Sequence, residues 1–259
     1  MATREQAHIA IADGLVLVSG SLADKASRLV SPSEAIILTG AARRFVSRGG
    51  EKLEGALDAF ALDVRGRRAL DAGASTGGFV DCLLQRGATR VYALDVGHGQ
   101  LDAGLRADPR VCVFERINVR TLAPANLDLA GEPFEPVDVV TADLSFISLV
   151  LVARPLVEVL RPDGDLVALV KPQFEAGRAE VGRGRGVIRD PAVWRRVLGD
   201  VTGALLAAGT GIMGAMPSPL RGSSGNVEFL LHARWGPVEG PNIDALLDAA
   251  VGAVGGDAE

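Results

Sequence analysis

Leu70-Asp-Ala-Gly-Ala-Ser-Thr-Gly-Gly-Phe79 is the stretch on which the fold turns. The run Arg68-Ala-Leu-Asp71 enters it, and a helical pattern from Gly78 to Arg86 leaves it. Glycines at such a strand-to-helix turn let the backbone adopt positive φ and approach a ligand, and the helix start offers unpaired N–H groups. The spacing is neither the G-x-G-x-x-G dinucleotide fingerprint nor the G-x-x-x-x-G-K-[ST] phosphate loop. Instead an acid, Asp71, stands two residues before the first glycine. A second acid, Asp95, ends the next apolar run, Arg90-Val-Tyr-Ala-Leu-Asp95, where a ribose hydroxyl pair wants a carboxylate.

Outward from this turn the same alternation continues. Val111 to Glu115, Val137 to Ala142 and Asp165 to Val170 read as strands, and Val227 to Leu231 as a late one. Helices are predicted from Leu149 to Leu160, closed by Arg161-Pro-Asp-Gly164, and over 191–208 with Pro191 at the first turn. Strands alternating with helices predict an α/β protein with a doubly wound, Rossmann-like, mostly parallel sheet. Ahead of it, Lys52 to Ala61 has Leu53, Ala56, Leu57 and Phe60 on one helical face. The first 38 residues read as a small unit: a helix from Thr3 to Ala12, strands at Leu15–Val18 and Ala35–Leu38, and a turn at Gly20-Ser21. The organisation expected is a partial small module over 1–40, a basic linker over 41–50, a catalytic domain over 51–235 and an acidic tail over 236–259.

The 259 residues are 48% hydrophobic and 23% charged, which is the composition of a globular chain. There is no run of about 18 apolar residues and no leader pattern, so the expected location is the cytoplasm and no membrane partner is expected. Two cysteines and three histidines exclude a disulfide framework and make a metal centre unexpected. The formal charge is −5, which by itself argues against nucleic acid. That argument fails on inspection, because residues from 235 onward hold five acids and no cation. The rest of the chain is balanced at 27 acids and 27 bases.

The bases are 24 arginines and three lysines, Lys25, Lys52 and Lys171. Arginine replaces lysine wherever only a cation is needed, but not where an amine must lose its proton, so Lys52 and Lys171 draw attention. Asp143 and Lys171 end their strands, and ligands of open α/β sheets bind at strand carboxyl ends. Lys52 on the preceding helix and Glu228 in the late strand complete four polar residues at element ends.

The turn with its two acids resembles the S-adenosylmethionine pocket of class I, Rossmann-like methyltransferases. Longer stretches then carry a specific resemblance to the TlyA family of ribosomal RNA 2′-O-methyltransferases, historically labelled hemolysins. They are Val46-Ser-Arg-Gly-Gly-Glu-Lys-Leu53, Leu70 to Phe79, Asp95-Val-Gly-His-Gly-Gln-Leu101 and Asp143-Leu-Ser-Phe-Ile-Ser-Leu149. Leu169-Val-Lys-Pro-Gln-Phe-Glu175 and Ser218-Pro-Leu-Arg-Gly-Ser-Ser-Gly-Asn-Val-Glu-Phe229 complete the set, which spans roughly residues 1–235. The resemblance implies a Lys-Asp-Lys-Glu tetrad of the FtsJ/RrmJ type at Lys52, Asp143, Lys171 and Glu228. It also implies cofactor contacts from Asp71, Gly73, Ser75, Thr76, Gly77, Gly78, Phe79, Asp95, Asn118 and Asp143.

In that reading Lys171 is the general base for a ribose 2′-hydroxyl, its pKa lowered by burial beside another cation. Lys52 and Asp143 tune it, and Glu228 holds the network or the ribose. The substrate implied is ribosomal RNA, a cytidine in 23S and also in 16S for some members. The family begins with a ribosomal-protein-like RNA-binding module, of which residues 1–38 resemble only the second part. Either the start lies upstream of Met1 or the module is reduced. Candidate phosphate contacts are Arg43, Arg44 and Arg48, then Arg178, Arg183, Arg185 and Arg189, with Phe174 as a stacking platform. The competing readings are a non-catalytic RNA-binding or ribosome-assembly factor on the same scaffold, and a hemolysin.

Overall fold

The computed structural model describes residues 7, 10–11, 15–23, 25–39, 44–127, 134–184 and 186–255. The chain divides into two units, Met1–Arg44 and Phe45–Glu259. In the first, β1 (Val16–Val18) is flanked antiparallel by β2 (Ser21–Leu22) and β3 (Ile36–Leu38). Ser19 and Gly20 both take positive φ, 50° and 82°, the backbone twist that a two-residue hairpin turn needs. Val16, Val18, Ala10 and Ala23 form its small core. Most of the helix expected from Thr3 to Ala12 lies outside the described residues.

The second unit is built on a seven-stranded sheet. Its strands are β4 (Arg68–Ala72), β5 (Arg90–Asp95), β6 (Val111–Glu115), β7 (Val137–Ala142), β8 (Leu160–Val170), β9 (Thr210–Pro217) and β10 (Phe229–Trp235), in the order β6-β5-β4-β7-β8-β10-β9. The pairs among β4 to β8 are parallel, whereas β10 is antiparallel to both its neighbours. This is the doubly wound α/β sheet that the alternation predicts. The strand order reverses between β4 and β7, which opens a crevice at their carboxyl ends.

Strand periodicity splits the core into two layers. Leu70, Tyr92, Leu94, Val140, Leu166 and Leu231 face α4 (Ala153–Glu158), α7 (Pro191–Ala207) and α8 (Ile243–Gly252). The alternate residues Ala69, Val91, Val139, Val167 and Leu230 face α1 (Gly49–Ala59) and α2 (Gly78–Gln85). Each buried Leu or Val in these layers contributes roughly 1.5–3 kcal/mol. Three short helices complete the unit: α3 (Ala103–Ala107), α5 (Pro172–Glu175) and α6 (Arg178–Arg183). Asp190 caps α7, accepting from the Ala192 N–H, with Pro191 at its first turn.

Several boundaries differ from expectation. Leu149 to Leu160 is not one helix but a 3₁₀ turn, Leu149–Leu151, followed by α4. Arg161-Pro-Asp-Gly164 does not end that helix; it is a bulge inside β8. Leu160 pairs with Val137 on one side of the bulge and Asp165 with Val139 on the other, and Asp163 takes φ 62°. The late strand begins at Phe229, so Glu228 stands just before it. Of the stretch expected as a basic linker, residues 45–50 belong to the second unit. Phe45 is buried against Gly50, where a Cβ would collide with its ring, and α1 begins at Gly49. Of the segment expected as an acidic tail, the described residues 236–255 include a helix. α8 packs on β9 with Leu247 and Ala250 buried, and Asp244 and Asp248 each pair with Arg195 at 2.6 Å.

Candidate active site

The turn after β4 is shaped by close approach. Gly73 takes φ 89°, and a Cβ there would run into the Asp143 carbonyl oxygen. Its N–H and that of Ala74 both donate to the Leu94 carbonyl, at 2.8 and 3.0 Å, which locks the turn to the end of β5. Ser75 follows at φ 46° and donates its N–H to Asp95 Oδ2 at 2.8 Å, while the Gly97 N–H donates to Asp95 Oδ1 at 2.6 Å. The Asp95 carboxylate is thus held by two backbone donors at the tip of its strand.

Beside it opens a cleft of about 500 Å³. Of the expected cofactor residues, Gly73, Ser75, Asp95, Asn118 and Asp143 line it. Asn118 also caps the following 3₁₀ turn, its Oδ1 accepting the Arg120 N–H at 3.0 Å. Thr76, Gly77, Gly78 and Phe79 do not line the cleft, and each has a packing reason. Gly77 takes φ 99° over Leu105, Gly78 lets α2 press on Ser47 and Gly50, and Phe79 is buried in the layer under α1. Thr76 accepts the Asp102 N–H on its carbonyl. Asp71 also stands off the lining. It is fully buried beneath the turn, and the Thr141 hydroxyl donates to its Oδ1 at 2.7 Å. Burial pushes its carboxyl up to about 8; the Thr141 bond opposes this, and the charges of Asp143 and Asp95 add to it.

The four tetrad residues form two ion pairs. Lys171 Nζ lies 2.5 Å from Asp143 Oδ1 and donates to Ser145 Oγ at 3.0 Å. Lys52 Nζ lies 2.6 Å from Glu228 Oε2, with both residues almost wholly enclosed, 8% and 3% exposed. Because β10 runs antiparallel, its start shares the sheet edge at which β7 and β8 end. Phe229 pairs with Val170, so the next step along the ladder brings Glu228 to the level of Lys171. Glycine at 222 leaves space for the Glu228 carboxylate, which a Cβ there would displace. One expectation is corrected: the charged group in contact with Lys171 is a carboxylate, not a second cation. Asp143 therefore belongs to both halves of the site, lining the cleft and holding the lysine.

Two loops carry this arrangement and are stitched together. Glu175 accepts from Ser148 Oγ at 2.5 Å and from the Leu149 N–H at 2.8 Å, and burial raises its carboxyl above the usual range. Phe146 and Phe174 pack with their ring centroids 5.0 Å apart and tilted by 50°, with Lys171 Nζ 5.8 Å from the Phe174 ring. Phe174 is half-buried, whereas Phe146, at φ 64° on the cleft wall, is 91% exposed. Sequence reasoning missed Phe146 and Ser145, although both sit in the quoted stretch Asp143 to Leu149. It also missed Asn226, whose Oδ1 accepts from the Ile188 N–H and whose Nδ2 donates to the Gly186 carbonyl. That residue ties the glycine-interrupted loop to the approach of Glu228.

The expected RNA contacts are less gathered. Arg43 and Arg185 lie outside the described residues. Arg44 and Arg189 are exposed, Arg48 donates to the Arg221 carbonyl at 2.7 Å, and Arg178 and Arg183 are the first and last residues of α6. Among the described residues no group of three or more His, Cys, Asp or Glu is placed to hold a metal. No helix among them is long and apolar enough to cross a membrane.

The FtsJ-like methyltransferase family matches residues 45–235. The 16S/23S rRNA (cytidine-2′-O)-methyltransferase TlyA of Mycobacterium tuberculosis is 49% identical over 233 residues, covering 90% of this chain and 84% of that protein. Hemolysin A of Brachyspira hyodysenteriae is 38% identical over 231 residues, covering 89% of this chain and 93% of its own. A solved hemolysin-designated protein of Streptococcus thermophilus is 38% identical, with a TM-score of 0.78 over 98% of this chain and 90% of that one.

Proposed function

The chain belongs to the FtsJ-like methyltransferase family, among the TlyA rRNA 2′-O-methyltransferases, and from that premise we propose that it binds S-adenosylmethionine in the cleft and methylates a cytidine ribose 2′-hydroxyl of ribosomal RNA. The cleft fits such a cofactor on two counts. Its volume of about 500 Å³ is within the ~300–1,000 Å³ usual for small-molecule sites, and Asp95 presents a fixed carboxylate suited to a ribose diol. Gly73, Ser75, Asp95, Asn118 and Asp143 would hold it. When bound, the cofactor supplies a methyl group made electrophilic by its sulfonium.

The protein's part is position and proton. A ribose hydroxyl is a weak nucleophile, so in-line placement supplies much of the rate. Lys171 takes the hydroxyl proton, with Asp143 and Ser145 fixing its amine at the cleft wall. Lys52 and Glu228, paired in a dry setting one strand away, hold the start of β10 and the Ser218–Gly225 loop in register. Phe146 offers an exposed ring on which a base can stack. Arg44, Arg48, Arg178, Arg183 and Arg189 are assigned to RNA phosphates, with residues 1–40 as an RNA-binding module.

The observation that carries this reading is Asp143, which lines the cofactor cleft and grips Lys171 at once. The test is transfer of tritiated methyl groups to unmodified ribosomal subunits, mapped by ribose-methylation-sensitive primer extension. Wild-type protein should label a cytidine ribose, and Lys171→Ala should lose at least about 100-fold in rate while cofactor affinity stays within a few-fold. Full activity in that variant sinks the assignment of Lys171. No labelling by the wild type, with RNA still bound, would favour the assembly-factor reading.

A further inference from the structure

One buried acid beneath the cleft is used by none of these steps. Asp71 Oδ1 takes the Thr141 hydroxyl, and its Oδ2, equally enclosed, has no hydrogen-bond partner among the described residues. The charged groups that face it are Asp95 from the tip of β5 and Asp143 from the loop after β7; β7 itself contributes only the neutral Thr141. Asp143 has Lys171 against it, but among the described residues no ion pair reaches Asp71. An enclosed carboxylate with two others nearby and no cation in contact keeps its proton, because the anion would be both desolvated and repelled. Burial, with those two charges, is what lifts this carboxyl to about 8.

We propose that Asp71 couples proton release to cofactor binding: it is a neutral acid in the ligand-free protein and ionises when a sulfonium ligand fills the cleft above it. The O–H bond of Asp71 breaks, the proton passes to solvent, and the carboxylate left behind answers the charge of the ligand. When a thioether takes the place of the sulfonium, Asp71 takes a proton back from solvent. No oxidant or third reactant is needed. The consequence is discrimination: the charged cofactor is favoured over its demethylated product more strongly as pH rises. The proposal rests on the reading of the cleft as the S-adenosylmethionine site.

Calorimetric titration of the full chain in buffers of low and high ionisation enthalpy, phosphate and Tris, reads the proton directly. At pH 7 S-adenosylmethionine should release about one proton per site, and S-adenosylhomocysteine close to none. Affinity for S-adenosylmethionine should tighten about tenfold from pH 6 to pH 7. In Asp71→Asn, which keeps the shape and removes the proton, both the release and the pH slope should vanish. Binding heat that is independent of buffer overturns the proposal and leaves the cleft assignment standing. Equal release by both ligands, or unchanged release in Asp71→Asn, overturns it as well. Absence of S-adenosylmethionine binding by the wild type would instead sink the cleft reading itself. If the Asn variant does not fold, the comparison of the two ligands on wild-type protein decides the matter.

Discussion

Single side chains at this site differ in what they tolerate, and the difference follows from how each is enclosed. Lys52 and Glu228 are a pair out of water, so removing one partner strands the other. Lys52→Ala should lower stability by about 3–5 kcal/mol, as is usual for breaking a buried pair. Neutralising both, in Lys52→Met with Glu228→Gln, should recover most of that loss in urea unfolding without restoring methyl transfer. A single variant as stable as wild type would show that the pair is solvated. Gly73 is limiting for another reason, its φ of 89° and the absence of space for a Cβ. Gly73→Ala should cost about 1–3 kcal/mol in strain and weaken cofactor binding at least about tenfold, as 1.4 kcal/mol corresponds to tenfold in an equilibrium constant. Titration calorimetry on the variant checks this, and unchanged affinity would remove the turn from the site.

At the scale of elements, the central parallel strands were readable because they are buried on both faces, so Val137 to Ala142 is wholly buried and, apart from Asp138 and Thr141, apolar. Asp143 and Lys171 were readable because each is the charge that follows a buried, mostly apolar stretch, Val139 to Ala142 and Leu166 to Val170. The bulge at Arg161-Pro-Asp-Gly164 was not readable, since those residues also spell a helix-ending turn and only pairing to Val137 and Val139 decides. Lys171 meets Asp143 because β8 and β7 are parallel neighbours, but the placement of Glu228 needed the reversed direction of β10, which no local pattern encodes. Phe79 is packed away and Phe146 exposed because a ring's exposure depends on backbone turn and packing rather than on its motif.

The far end of the sheet holds an element-scale prediction of its own. Asp165, at the start of the β8 segment that pairs with β10, is 1% exposed and takes His232 at 2.9 Å, Arg67 at 2.8 Å and Arg234 at 2.8 Å, so it joins β8 and β10 to the entry of β4. Burial works against its charge, but the hydrogen bonds from His232, Arg67 and Arg234 outweigh it and hold the carboxyl below its ordinary value. A depressed carboxylate stabilises the fold above its unfolded pKa and loses that contribution as pH falls through the folded one. Asp165→Asn should therefore be less stable than wild type at pH 7 by about 3–5 kcal/mol, and the gap should narrow as pH falls from 3.8 through the lower folded value. A constant gap across that range in urea unfolding would refute the electrostatic account. Asp71 runs the other way, its contribution being greatest in acid and lost as pH rises from 3.8 through about 8.

For the whole molecule, charge distribution decides whether an acidic protein can hold RNA. The formal −5 is accounted for by residues after Trp235, and there Asp244 and Asp248 are spent on Arg195 beneath α8. Many other arginines are committed as well, with Arg67 and Arg234 on Asp165, Arg86 on Glu54 and Asp58, and Arg196 on Glu180. Arg189 differs, being exposed in the loop that Asn226 ties to the approach of Glu228, with no ion pair among the described residues. If it meets a phosphate, binding of unmodified ribosomal RNA should weaken steeply with salt despite the net negative charge. Arg189→Gln should then reduce the slope of log K against log salt by about 0.7–0.9, the value of one released counterion. Methyl transfer at saturating RNA should be unaffected, because the variant alters encounter and grip rather than the tetrad. A salt slope identical to wild type would take Arg189 off the RNA path, and salt-independent binding by the wild type would refute the phosphate reading altogether.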